Sequence, residues 1–239
     1  MQRPRILLVP TVTELEWRIA PELAGWAEVA TYDAPGVGQE PPVEPPEPAA
    51  VARRGLAEME RRGWERCIIV GDEVGAYNAM LLASLRPRAV AGIALGHPSL
   101  SGRTDGPRGP LNGAVVSALM QVLQVDYRSF ARALTQVTRE AYDDDTVERY
   151  VQRVPQATVA AYFDAMLGRD LDVESLGREL QDKPMLLAEH AECAMWTREG
   201  YEDMVAAFPQ ARTASFEVKP SASPEFAERL RQFAAEVWD

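Results

Sequence analysis

The sequence predicts an α/β fold built on a parallel sheet. Three observations carry that prediction. Six short runs are nearly all apolar, as strands buried on both faces must be. Segments of helical period separate most of them, which is the alternation of a right-handed crossover fold. The alternation is interrupted once, by a long stretch with helical periods and no convincing strand.

The runs occur in this order. Ile6 to Val9 is closed by Pro10, and Glu28 to Tyr32 ends at Asp33. Arg66 to Val70 ends at Gly71, and Val90 to Leu95 ends at Gly96-His97-Pro98. Pro184 to Ala188 and Thr213 to Val218 complete the set. Between them, Ala49 to Arg62 mixes apolar and charged residues at helical spacing, and Ala76 to Leu85 is so apolar that it belongs in the centre. Tyr201 to Phe208 and Pro224 to Trp238 are amphipathic. The last starts well, with Ser223 as a cap residue and Pro224 at the first helical position.

From about Gly106 to Asp182 the candidate helices are Leu111 to Val125, Tyr127 to Thr138, Asp145 to Val154 and Thr158 to Leu167. This divides the chain into a core, 1–105 and 183–239, and a helical insertion, 106–182. The insertion follows the fourth strand, where it can cover the carboxyl edge of the sheet as a lid. Its Met120, Leu123, Tyr127, Phe130, Tyr162, Phe163 and Met166 lie at helical spacings and serve packing or a ligand. Gln39 to Pro48 is proline-rich and reads as an extended surface loop. The run Asp143-Asp144-Asp145 reads as a solvated helix start, since it lacks the glycine and terminal glutamate of a calcium loop.

Charge narrows the partners. The chain of 239 residues carries 25 Lys+Arg against 36 Asp+Glu, a net charge of −11. Such a field repels phosphate backbones and anionic membranes, which argues against nucleic acid and membrane partners. Cys67 and Cys193 are far apart without metal-finger spacing. No run of 18 apolar residues and no signal peptide is present, so a cytoplasmic protein without cofactor or metal is expected. A homodimer is compatible with the composition.

Four local patterns fall in one order. Val70-Gly71-Asp72-Glu73-Val74-Gly75-Ala76 resembles the G-x-nucleophile-x-G elbow of the α/β-hydrolase superfamily, a sharp strand-to-helix turn that presents the nucleophile. Asp33-Ala34-Pro35-Gly36-Val37-Gly38 resembles the loop after the preceding strand in that family. Leu7-Leu8-Val9-Pro10-Thr11, with Trp17 beyond it, resembles the segment that supplies an oxyanion-hole amide. Arg88 to Leu95 resembles the strand after the elbow helix, and Lys183 to Leu187 the strand that leads to the triad acid. The resemblance covers nearly all of the chain outside the insertion. It implies a doubly wound sheet of six parallel strands in the order 2-1-3-4-5-6, without the family's N-terminal antiparallel hairpin. A ligand crevice then belongs where the strand order reverses, floored by the Thr11 loop and the Glu73 elbow.

The chemistry departs from the family's pattern. The elbow holds Glu73 where most members have serine and the epoxide hydrolases and haloalkane dehalogenases have aspartate. The acid position falls near Glu192 or Cys193. The place of the histidine reads Val218-Lys219-Pro220-Ser221-Ala222-Ser223-Pro224, without histidine, and the oxyanion segment is Pro10-Thr11. The triad is therefore degenerate. A serine esterase would need Ser99 or Ser101 beside His97, in a loop that lacks the elbow's exposure.

Three readings remain for Glu73. It is a general acid or base for a small, largely apolar molecule, in isomerase, lyase or cyclase chemistry. It is a carboxylate nucleophile. Or it is a relic in a ligand-binding or partner-binding protein without turnover, since carboxylates are also welcome at a helix N-terminus. His97, at the end of the fourth strand, is the expected catalytic partner. Thr11, Val12, Val74, Asp33 and Trp196 are the expected substrate contacts, with Asp33 also readable as a turn former. His190 reads as structural.

Overall fold

The computed structural model describes residues 2–13, 17–44, 47–98, 112–137, 143–167, 173–190 and 196–238. Six strands form one sheet: β1 Arg5–Val9, β2 Glu28–Thr31, β3 Cys67–Asp72, β4 Val90–Gly96, β5 Met185–His190 and β6 Arg212–Phe216. Every pairing is parallel, and the order is β2-β1-β3-β4-β5-β6.

The central strands are apolar because both of their faces are covered. Alternate residues point to opposite sides. Leu7, Val9, Ile69, Ile93, Leu95 and Leu187 enter one core, while Ile6, Leu8, Ile68, Val70, Ala94 and Leu186 enter the other. Helices α2 (Pro48–Arg61), α3 (Val74–Leu85) and α9 (Arg198–Ala207) cover the first face. Helices α1 (Ala20–Ala24) and α10 (Pro224–Val237) cover the second. Ser223 caps α10 as its sequence suggests, accepting from the Phe226 amide.

Among the described residues, five helices lie between β4 and β5: α4 Gly113–Val125, α5 Tyr127–Val137, α6 Asp144–Arg153, α7 Gln156–Met166 and α8 Val173–Leu180. Asp143 caps α6 by accepting from Thr146 N at 2.8 Å, so the acidic run is a helix start.

Two expectations need adjustment. The sixth strand ends at Phe216, and Val218 is 46% exposed beyond it. As an edge strand, β6 can show polar residues along its length, which blurs its boundary in the sequence. The short α1 and α8 carry too few turns to announce themselves by period. Among the described residues, no helix is long and apolar enough to cross a membrane.

Candidate active site

The β3–α3 turn places one residue in a backbone conformation that side chains rarely adopt. Glu73 has φ 51° and ψ −118°. Such strain costs of order 1–3 kcal/mol and persists only where the surroundings enforce it. Here the enforcement is close packing on both sides. A Cβ on Gly71 would lie 2.3 Å from the Gly75 carbonyl oxygen, and one on Gly75 would lie 2.9 Å from the Val9 carbonyl oxygen. The Glu73 amide donates to the Gly96 carbonyl at 2.8 Å, which ties the elbow to the neighbouring strand end. Glu73 itself is buried. Helix α3 starts at the next residue; Ala76 N already donates to Glu73 O at 2.9 Å, which leaves Val74 and Gly75 as the first amides without an intrahelical acceptor.

The Glu73 carboxylate meets a cation from the far end of the chain. Lys219 Nζ lies 3.5 Å from Glu73 Oε2, and both side chains are 2% exposed. Lys219 occupies the loop between β6 and α10, where the family resemblance puts the histidine. Three contacts seat this loop on the ends of β3 and β4 and the start of α1. Ser221 N donates to Asp72 Oδ2 at 2.9 Å. Ile19 N donates to Ser221 O at 3.2 Å. Pro220 packs so closely that a Cβ on Gly96 would lie 2.8 Å from Pro220 Cβ, and 2.3 Å from Asp72 Oδ1. Asp72 is thus a positioning group for the Lys219 loop.

Sequence reasoning missed Lys219, because the loop was read only for a missing histidine. A signal was present. Of the 25 basic residues only Lys183 and Lys219 are lysines, and the rest are arginines. A lysine in the loop after the last strand is therefore unusual for this chain.

The remaining candidates fall into separate groups. His97 adopts φ 38° at the end of β4. Its amide donates to Ala188 O at 2.6 Å, and its Nδ1 accepts from His190 N at 3.1 Å. A nitrogen that accepts carries no proton, so the neutral ring holds its proton on Nε2. That atom is buried and has no hydrogen-bond partner among the described residues. The ring faces Trp196, with centroids 6.4 Å apart, and His190, at 6.5 Å. The backbones of residues 73 and 97 are thus adjacent, while the ionic partner of Glu73 comes from Lys219.

Thr11, Val12 and Val74 come together in the structure. They line a small cavity of about 20 Å³ that Asn78 and Tyr162 also reach. Asn78 Oδ1 and Tyr162 Oη, both buried, have no hydrogen-bond partner among the described residues. The space suits one water-sized group. Tyr150 from α6 donates to Val12 O at 2.7 Å, fixing this loop against the insertion. Asp33 is ion-paired with Arg153 of α6 and lines a neighbouring cleft of about 300 Å³ with Trp17, Tyr150 and Thr11, which borders both spaces. Gly38 closes on the same carboxylate, since a Cβ there would lie 2.3 Å from Asp33 Oδ2. Ser99, Ser101, Glu192 and Cys193 lie outside the described residues.

Burial pushes the His97 imidazole down to about 4, and the nearby His190 adds to the shift. The ring is therefore neutral in the folded protein at pH 5 to 7. The sign of the consequence follows from proton counting. Between pH 6.5 and 4 the unfolded chain binds a proton at this residue and the folded chain does not. Stability then falls as pH drops through that window, by about 3 kcal/mol in total. Urea unfolding of wild type and His97→Asn at pH 7 and pH 4 checks this. Asparagine tolerates the positive φ. The variant should lose less stability on acidification than wild type, and equal losses would contradict the assignment.

Known structures share this architecture at low sequence identity. A hydrolase from Oleispira antarctica matches with a TM-score of 0.80 and 15% identity, over 98% of this chain and 92% of its own. A bromoperoxidase from Bacillus anthracis matches at 0.79 and 16%, over 98% and 92%. An alpha/beta hydrolase from Novosphingobium aromaticivorans matches at 0.70 and 18%, over 99% and 91%. No protein-family model matches the sequence, and no curated protein does.

Proposed function

We propose that this chain, which has the α/β-hydrolase fold, is an enzyme acting on a small, largely apolar molecule, with Glu73 as its general acid and base. One observation carries the reading. The elbow and the loop after β6, where the resemblance puts nucleophile and base, hold titratable groups of opposite charge 3.5 Å apart. Nearly complete burial makes this an expensive arrangement. A buried ion pair seldom adds stability over apolar residues of the same size. Strain at Glu73 and a desolvated charge pair thus coincide at the strand-order reversal, where ligands of open α/β sheets bind.

The chemistry follows from the pair. Burial strengthens a carboxylate as a base and a neighbouring cation weakens it, and the ammonium beside Glu73 returns the proton or holds the charge that develops. Proton abstraction, elimination or ring closure needs no acyl-enzyme. In this reading the Val74 and Gly75 amides at the start of α3 meet an oxyanion on the substrate. The inserted helices α4–α8 act as the lid, with Tyr162 and Phe163 over the Val74 side. His97 ties the ends of β4 and β5 together.

The engagement of Glu73 by a buried cation, beside a cavity that suits only one water-sized group, favours a second reading, a ligand-binding or partner-binding protein without turnover. A panel of small apolar ketones, lactones, epoxides and esters separates the two. Conversion, or exchange of substrate hydrogen with solvent deuterium, supports the enzyme. A ligand that raises the melting temperature with neither supports the binder. A serine-directed phosphonate should leave no adduct in either case. A stoichiometric adduct would contradict the loss of serine chemistry at the elbow.

A further inference from the structure

We propose that Lys219 is a covalent catalyst that forms an imine with a small aldehyde or ketone, and that Glu73 moves the protons of that reaction. The inference rests on the reading of Glu73 as an acid and base, and it names the substrate class.

Three observations lead there. The first is residue choice. In a chain that uses arginine almost everywhere, the cation against Glu73 is one of only two lysines. Arginine would make the stronger ion pair with a carboxylate, through two parallel hydrogen bonds. What lysine offers instead is an amine that can lose its proton and attack carbon. The second is environment. Nζ and carboxylate are both 2% exposed, so the pair is almost wholly withdrawn from water. Passing the proton from ammonium to carboxylate removes two buried charges at once, which desolvation favours. The third is positioning. Asp72, Ile19 and Gly96 hold the Lys219 loop by its backbone and by Pro220, leaving the Lys219 side chain for the elbow.

The step balances without a co-reactant. Glu73 takes a proton from the Lys219 ammonium, leaving a neutral amine. The nitrogen lone pair attacks the carbonyl carbon, a C–N bond forms, and the carbonyl π pair moves to oxygen, which takes the proton from Glu73. The nitrogen, now positively charged, returns a proton to the Glu73 carboxylate. Glu73 then protonates the hydroxyl group, the C–O bond breaks, and water leaves. The product is a protonated imine on Lys219 opposite an ionised Glu73. The imine withdraws electrons from the adjacent carbon, so a hydrogen there becomes acidic and Glu73 is placed to remove it. The substrate class is thus a small, apolar aldehyde or ketone with a hydrogen next to the carbonyl.

The chain's composition makes the test clean, because Lys183 and the terminal amine are the other primary amines to compare. The folded protein is incubated with butanal or butanone and sodium cyanoborohydride, and peptides are mapped by mass spectrometry. Lys219 should gain the reduced butyl group ahead of the half-buried Lys183 and the terminus. Glu73→Gln should slow labelling of Lys219 by about 10²-fold while Lys183 keeps its rate, an internal reference for reagent and fold. Labelling of Lys183 and the terminus with Lys219 untouched would overturn the proposal. So would equal labelling of Lys219 in wild type and Glu73→Gln. If Lys219 stays unlabelled while Glu73-dependent exchange of substrate hydrogen persists, the imine falls and the acid–base reading stands. If Lys219 labels through Glu73 but no substrate hydrogen exchanges, the imine stands and proton abstraction by Glu73 falls.

Discussion

Lys219→Met should cost about 3–5 kcal/mol of folding stability, the loss typical of removing one partner from a buried ion pair. Methionine matches the lysine stem in length, so the packing of the β6–α10 loop changes little. What remains is a carboxylate at 2% exposure with its cation gone and Asp72 as its chain neighbour. Glu73→Gln should cost less, about 2 kcal/mol, because the amide oxygen still accepts a hydrogen bond from the ammonium. The double variant Glu73→Gln/Lys219→Met removes both charges and should recover most of the loss. Urea unfolding of the four proteins gives the coupling. Additive losses would mean that the two groups do not interact in solution as they do in the structure.

The catalytic counterpart is larger in rate than in stability. Glu73→Gln keeps the side chain's shape and its place at the elbow while abolishing basicity. General acid–base catalysis contributes about 10²–10⁴-fold, so turnover or proton exchange should fall by at least about 10²-fold. The expected 2 kcal/mol of lost stability does not account for that fall, provided the variant is folded at the assay temperature. A structural relic at the same position predicts the stability change without any change in rate. If kcat falls with KM unchanged, the lost interaction belongs to the transition state.

The fold was legible because its signals are local and redundant. The central strands announced themselves by apolar runs such as Cys67 to Val70, and the elbow by glycines that the backbone cannot replace. Ser223-Pro224 marked the start of α10. The edge strand β6 was less legible, since partial exposure lets polar residues into it. The site was harder. Glu73 was visible from its motif, but its partner depends on chain segments about 150 residues apart meeting at the sheet's carboxyl edge. His97 was expected to fill that role because it lies at the end of the adjacent strand. What the sequence did not reveal is the direction of its ring. With Nδ1 accepting from the His190 amide, His97 is oriented by β5. Asp33 similarly had two readings, and its pairing with Arg153 of α6 depends on how the insertion docks.

The central claim is that Glu73 transfers a proton to and from a bound molecule. The most direct measurement is deuterium uptake from solvent into a small apolar ketone, followed by NMR, with wild type and Glu73→Gln at equal folded concentration. Uptake above the buffer rate in wild type, reduced at least about 10²-fold in the variant, is the predicted result. Wild-type uptake that Glu73→Gln leaves unchanged would contradict the claim and make the elbow carboxylate a structural feature only.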